Sequence, residues 1–323
     1  MSYRIGSFNM RRFGANPSQE YFEVFSNIIH GENLDIVALQ EVFSEGKGVA
    51  QLLENYIKYQ LRGWEFCWEK PEEPTDTVKN YNMQKGNTRG EGYAYLWNTG
   101  KFKLAEFRKL SETRIFDPRI INSRSRDVKI TDVSLARSPY YIRFMPVHNG
   151  FFELRLINMH IYFGSTSSVD ISKRQEEFEI LTQKIYPAIS QRRYGDFRSA
   201  YTIAMGDYNL NLLGAPSLPA DKNACVPSVY QCNERLNPYT VHTIQDQLTT
   251  LKKCTEADGN RQIADKERYT NNFDHFSYSP ELSHLSGVRC WRVDAVNKYC
   301  NGDFWVYNSK ISDHLPIVME IDI

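Results

Sequence analysis

The 323-residue sequence has no surplus of either charge, since 39 Lys and Arg balance 39 Asp and Glu. That balance excludes a globally basic coat for nucleic acid. No apolar run approaches the ~18–20 residues needed to cross a bilayer. The opening MSYRIGSFNM lacks the apolar stretch of a secretory signal. The reading is a cytoplasmic chain with no membrane span. Cysteine is scarce, at six residues, which is too few for a disulfide scaffold of this length. Cys225/Cys232 and Cys290/Cys300 are too widely spaced for a structural zinc site. Ordinary thiols are expected, with a Cys290–Cys300 bridge as the leading exception. No internal repeat and no Gly/Ser- or Pro-rich linker divides the chain, so one domain over residues 1–323 is expected.

What is present is the pattern of an α/β protein. Hydrophobic residues make up 41% and charged residues 24%, a globular balance that excludes a disordered chain. Apolar runs rich in aromatic and β-branched residues cover 3–8, 35–39, 64–68, 93–97, 140–145, 151–159 and 201–205. Their lengths suit strands buried on at least one face. Residues 18–30 place Tyr21, Phe22, Phe25, Ile28 and Ile29 on one helical stripe, with Gly31 as the stop. Residues 172–193 read as a second helix, opened by a Ser172/Gln175 capping box and interrupted at Pro187. Many strands with fewer helices suggest an α/β sandwich of mixed sheets. Residues 210–272 carry Pro216, Pro219, Pro227 and Pro238 without a clean period, and read as a long insertion.

Short polar side chains cluster at the expected strand ends. They are Asn9 in Ser-Phe-Asn-Met, Glu41 after Ala-Leu-Gln, and His160 after Ile-Asn-Met. Asp207 and Asn209 follow Ala-Met-Gly at i, i+2 spacing, which in extended backbone turns both to one face. Asp274 stands in Asn-Phe-Asp-His, and Asp313-His314 precede the last strand. Singly, such residues form turns more often than sites. Six repetitions on one rim are what metal-assisted hydrolysis needs: hard oxygen ligands for Mg²⁺ and His/Asp groups for protons.

The series Ser-Phe-Asn9, Leu-Gln-Glu41, Asn-Met-His160, Gly-Asp207-Tyr-Asn209, Phe-Asp274-His and Ser-Asp313-His314-Leu-Pro resembles the motifs of the endonuclease/exonuclease/phosphatase superfamily, in order and over residues 9 to 314. That is the fold of deoxyribonuclease I, AP endonucleases, neutral sphingomyelinases and inositol polyphosphate 5-phosphatases. The resemblance implies a four-layer α/β/β/α sandwich of two mixed β-sheets flanked by helices. Gly90-Glu91-Gly92-Tyr93 resembles the deoxyribonuclease I strand whose Glu pairs with the first catalytic His. Ala136-Arg137-Ser138-Pro139 resembles its Arg-x-Pro motif, whose Arg approaches the substrate phosphate. The His at position 160 argues against the AP endonuclease branch. The stretch from His160 to Gly164, with Arg174-x-x-Glu177 beyond it, is closer to bacterial-type members than to the mammalian enzyme.

By this resemblance Glu41 is the primary ligand of Mg²⁺, or of Mn²⁺ as an alternative, with Asn9 and Asp313 nearby. Asp207 and Asn209 position the water and the phosphate, and Arg137 also meets the phosphate. His160, oriented by Glu91, and His314, oriented by Asp274, form the acid/base pair. The implied activity is Mg²⁺-dependent phosphodiester hydrolysis by an endonuclease of low sequence specificity, with DNA as the partner and no protein partner inferable. The alternatives are a phosphodiesterase or phosphatase of a lipid or inositol headgroup and a catalytically inactive binding module. Neutral overall charge hides an uneven distribution: residues 20–76 hold 12 acidic and 4 basic residues, whereas 101–143 hold 11 basic and 5 acidic. Arg114, Arg119, Arg124, Arg126 and Lys129 in the latter suggest a phosphate-tracking wall leading to Arg137. Most of the 20 Tyr and 18 Phe are read as core residues on strands, so they are not counted as base-stacking platforms.

Overall fold

Alternation of side chains decides how the strands face. In β1 (Ser2–Phe13) Tyr3 and Ile5 point to one side, Phe8 and Met10 to the other, and the two sets belong to different cores. In β2 (Ile36–Phe43) Ile36 and Ala38 alternate in the same way with Val37 and Leu39. The structure, a computed structural model, describes residues 2–13, 19–43, 48–69, 91–109, 112–121, 135–148, 150–194, 198–214, 224–232, 238–255, 268–285 and 287–323.

The remaining strands follow in chain order. They are β3 (Trp64–Glu69), β4 (Glu91–Asn98), β5 (Phe102–Leu104), β6 (Glu106–Lys109), β7 (Glu112–Ile115), β8 (Arg119–Ile120) and β9 (Tyr140–Pro146). Beyond them lie β10 (Phe152–His160), β11 (Ser199–Asp207), β12 (Asn211–Leu212), β13 (Cys225–Val226), β14 (Val229–Cys232) and β15 (Tyr239–Ile244). The last three are β16 (Asp274–Tyr278), β17 (Arg289–Arg292) and β18 (Ile317–Asp322). One sheet of six strands runs β17-β18-β1-β2-β4-β3, and one of eight runs β14-β15-β16-β11-β10-β9-β5 with β8 beside β9. Both are mixed, because β1 pairs β2 and β10 pairs β11 in parallel while their other neighbours are antiparallel.

The sheets face each other across a core of Ile5, Ile36, Tyr95, Leu154, Leu156, Ile203 and Met205. Helices cover the outer faces. α1 (Gln19–Gly31) buries Phe25, Ile28 and Ile29 on the first sheet, each side chain contributing ~1.5–3 kcal/mol. α2 (Gly48–Gln60) adds Leu53 and Tyr56 to the same core. On the second sheet, α3 (Ser168–Ile180) packs Phe178 against Ile157 and Met159 of β10, among others. The four-layer α/β/β/α sandwich of two mixed sheets is therefore the observed architecture.

Local punctuation differs from the sequence reading at several points. Gly31 is the last helical residue of α1, and the left-handed stop falls at Asn33 (φ 51°), where Leu34 N–H closes onto the Ile29 carbonyl at 3.0 Å. α3 starts four residues before Ser172, and its cap is Ser167, whose hydroxyl accepts from Asp170 N–H at 3.2 Å. The helix continues through a π turn (Leu181–Ile185) into a last α turn (Tyr186–Ser190) that takes Pro187 at its start, where a missing N–H costs little. Asn9 and Glu41 do not close their strands; β1 and β2 run on past an irregularity in their pairing. All six cysteines are free, so the Cys290–Cys300 bridge does not form. The described parts of 210–272 form β12 to β15, and β15 pairs with β16 in the second sheet; Pro216 and Pro219 lie outside the described residues.

Candidate active site

Register delivers the polar residues to one edge. β10 and β11 run in parallel with His160 opposite Asp207, and β11 and β16 run antiparallel with Asp207 opposite Asp274. His160, Asp207 and Asp274 thus stand in a row across the second sheet. In the first sheet Asn9 lies opposite Gln40, and Glu91 pairs with Phe43 at the same end. Gly206 makes the close approach of β11 to β10 feasible. Its φ is 138°, and a Cβ there would stand 1.8 Å from the Met159 carbonyl oxygen. Non-glycine residues with positive φ gather here too: Arg11 (41°), Glu41 (54°) and Asn209 (51°). Such conformations cost energy and are held only where the surroundings determine them.

Asp207 is the hub. His160 Nε2 and His314 Nε2 each lie 3.5 Å from its Oδ2, and the Asn9 amide donates to the same oxygen at 3.0 Å. Asn9 also donates to Glu41 Oε1 at 3.1 Å. The other nitrogen of each ring meets its own carboxylate: His314 Nδ1 to Asp274 Oδ2 at 2.9 Å, and His160 Nδ1 to Glu91 Oε2 at 3.5 Å. Glu91 in turn pairs with Arg137, which also donates to the His160 carbonyl at 3.4 Å. Thr249 accepts from the Asp274 N–H at 3.2 Å. Asn209 does not share an extended face with Asp207. The chain turns between them, Asp207 Oδ1 accepts the Asn209 N–H at 2.8 Å, and the Asn209 amide donates to the Ile161 carbonyl at 2.8 Å.

The two imidazoles differ in electrostatic setting. Burial alone would push His314 down, but the carboxylates of Asp274 and Asp207 outweigh it and hold the ring well above its ordinary pKa. Burial pushes His160 well below its ordinary value, and the nearby Arg137 and His314 cations push it the same way. Burial raises the Asp207 carboxyl to about 7 against the pull of His314, with Asp274 adding to the rise and Asn209 and Asn9 opposing it. Burial would lower the Arg137 guanidinium, but Glu91 holds it above its ordinary value.

Three residues that the sequence reading passed over tie the sheets together beneath this edge. Gln40 donates to Asn158 Oδ1 at 2.6 Å and to Ser7 Oγ at 3.2 Å, and Asn158 donates to the Leu39 carbonyl at 2.9 Å. All three are buried. Alternation carries the signal, since Ser7, Gln40 and Asn158 occupy the next inward positions after Ile5, Ala38 and Leu156. Polar residues at successive inward positions must be paired across the core.

No family model matches the chain, and no curated protein does. Solved structures do match in shape over its whole length. A truncated Caenorhabditis elegans TDP2 aligns with a TM-score of 0.53 at 14% identity, covering 100% of this chain and 98% of that one. A Bacteroides vulgatus endonuclease/exonuclease/phosphatase aligns with a TM-score of 0.53 at 14% identity, covering 100% and 99%. A D. rerio TDP2 complexed with a single-strand DNA product aligns at 0.52 and 15% identity, with the same coverage. The fold is that of the endonuclease/exonuclease/phosphatase proteins.

Within the endonuclease/exonuclease/phosphatase fold, the remaining candidate residues sit in different surroundings. Asp313 is half-exposed and lies 3.5 Å from Arg11, which is anchored on the Asn308 carbonyl at 2.7 Å. Arg143 is no part of a basic wall, because it is fully buried and paired with Glu153. Arg119 packs over Phe116 at 4.7 Å, while Arg124, Arg126 and Lys129 lie outside the described residues. Asp207, Asp274 and His314 offer donor atoms within 4.8 Å of one another, a spacing that suits a metal ion. His314 directs Nδ1 to Asp274 at 2.9 Å and Nε2 toward Asp207 at 3.5 Å, so both ring nitrogens face carboxylates. Glu41 and Asp313 carry hard carboxylate oxygens of the kind a divalent cation prefers, and Asn9 links Glu41 to Asp207 through its amide N–H groups.

Proposed function

We propose that the chain is a Mg²⁺-dependent phosphodiester hydrolase, a deoxyribonuclease I-like endonuclease of low sequence specificity that cuts DNA. One observation carries the reading: two carboxylate–imidazole pairs, Glu91–His160 and Asp274–His314, both turn their second ring nitrogen toward Asp207. A carboxylate behind each ring sets its tautomer and aims the far nitrogen at the reacting group, as acid–base catalysis requires. The D. rerio TDP2 with single-strand DNA product supports nucleic acid as the substrate class.

Glu41, with Asn9 and Asp313, would hold the metal, which when bound supplies charge neutralisation of the non-bridging phosphate oxygens. The chain's own groups supply the rest. Asp207 orients the attacking water, and Asn209, whose backbone N–H Asp207 accepts, follows just beyond the end of β11. His314, hydrogen-bonded to Asp274 and with Nε2 turned toward Asp207, stabilises the phosphate and delivers a proton to the leaving oxygen. His160 takes up at Nε2 the proton that the attacking water releases. Arg137, braced by Glu91, adds positive charge on the phosphate side.

The test incubates the protein with supercoiled plasmid, single-stranded DNA, RNA and sphingomyelin in Mg²⁺, Mn²⁺ or EDTA. DNA cleavage that needs metal and falls at least ~100-fold in His160→Ala and Asp207→Ala is the expected outcome. Release of phosphocholine without DNA cleavage would overturn the reading.

A further inference from the structure

The loop after β10 carries an exposed aromatic ring that the chemistry above does not use. Phe163 stands three residues beyond His160 and is 41% exposed. Its ring centroid lies 6.2 Å from that of Phe273, the residue before Asp274. The Arg174 guanidinium lies over the ring at 5.0 Å and donates to the Asn209 carbonyl at 2.8 Å and the Ser165 carbonyl at 2.9 Å. The ring is thereby tied to the segments that bear His160, Asn209 and Asp274. The loop is also firmly built. Gly164 turns at φ 62°, where a Cβ would stand 2.5 Å from the Tyr162 ring. Tyr162 N–H donates to the buried Glu177 carboxylate at 3.0 Å, and Ser167 N–H to Ser165 Oγ at 3.2 Å.

We propose that Phe163 is a stacking platform for an unpaired nucleobase adjoining the phosphate under attack, so that the site selects single-stranded nucleic acid. The inference rests on the phosphodiester-hydrolase reading and deepens it. A base inside a duplex has both faces covered by its neighbours, whereas a single strand offers a face to an aromatic side chain whatever its sequence. A choline ammonium also favours an aromatic face. Here the Arg174 cation already lies over the ring and repels a second cation, while a neutral base meets no such penalty. The rigid loop keeps the platform in place before substrate arrives, so little ordering is lost on binding.

The test compares kcat/KM in Mg²⁺ on a single-stranded oligonucleotide, the same strand annealed to its complement, and a strand of the same length built of abasic residues. The wild-type protein is expected to prefer the intact single strand over both by about ten-fold or more. Phe163→Ala lowers that preference towards unity, chiefly through KM, and Phe163→Trp retains it. Equal losses on intact and abasic strands in Phe163→Ala would overturn the platform and leave nucleic-acid hydrolysis standing, as would a wild-type preference for duplex. Release of phosphocholine from sphingomyelin with none of the three strands cut would overturn both readings.

Discussion

Asp274 holds His314 Nδ1 at 2.9 Å and so turns Nε2 toward Asp207. Asp274→Asn keeps the shape but removes the negative charge that fixes the ring as a donor. Its kcat is expected to fall by about 10²- to 10⁴-fold with a smaller change in KM, measured by steady-state cleavage of DNA. A second group offers a test by pH. Glu177 is buried and its carboxyl is raised above its ordinary value; burial is the larger cause, opposed by the N–H groups of Tyr162 and Ala136. A carboxyl raised on folding contributes stability that is full below the unfolded value of ~4.3 and is lost as pH rises through the folded value. The stability difference between the wild-type protein and Glu177→Gln should therefore shift against the wild type as pH rises above ~4.3, with a slope of up to ~1.4 kcal/mol per pH unit. Urea unfolding at several pH values reads it, and a flat difference would refute it.

At the scale of elements, strand pairing does what no single residue can. Gly206 lets β11 run close beside β10, so that Asp207 comes level with His160. Gly206→Ala forces a Cβ against the Met159 carbonyl, and is expected to cost on the order of 3 kcal/mol or more, seen as a lower urea midpoint together with lost activity. Farther along the same sheet, Arg143 and Arg155 share the buried Glu153. Glu153→Gln leaves two buried cations without their counter-charge, for an expected loss of about 3–5 kcal/mol, again read by urea unfolding. The strands themselves were legible from runs such as 151–159, because alternating apolar residues mark two buried faces. The helix caps were less so. Ser172 and Gln175 satisfy a capping pattern, but Ser167 already caps the helix one turn earlier, and a local motif carries no information about which of two candidates starts the helix.

Taken whole, the molecule is neutral and yet unevenly charged. The basic excess in residues 101–143 predicts activity that falls at least ~10-fold between ~50 and 200 mM salt, by loss of counterion release. A flat salt response in the cleavage assay would speak against it. Arg143 shows the limit of counting charges along a chain, since it lies wholly inside the protein beside Glu153. The residue types at Asn9, Glu41, His160, Asp207, Asp274 and His314, and their placement after apolar runs, were determined by the sequence itself, because chemistry and strand period are local properties. That Asp207 faces both imidazoles, that Arg11 reaches Asp313, that Gln40 and Asn158 join the sheets and that Phe163 lies beside Phe273 were decided only by tertiary structure. Those contacts join residues from about fifty to about three hundred positions apart. Only packing of the two sheets against each other sets such distances.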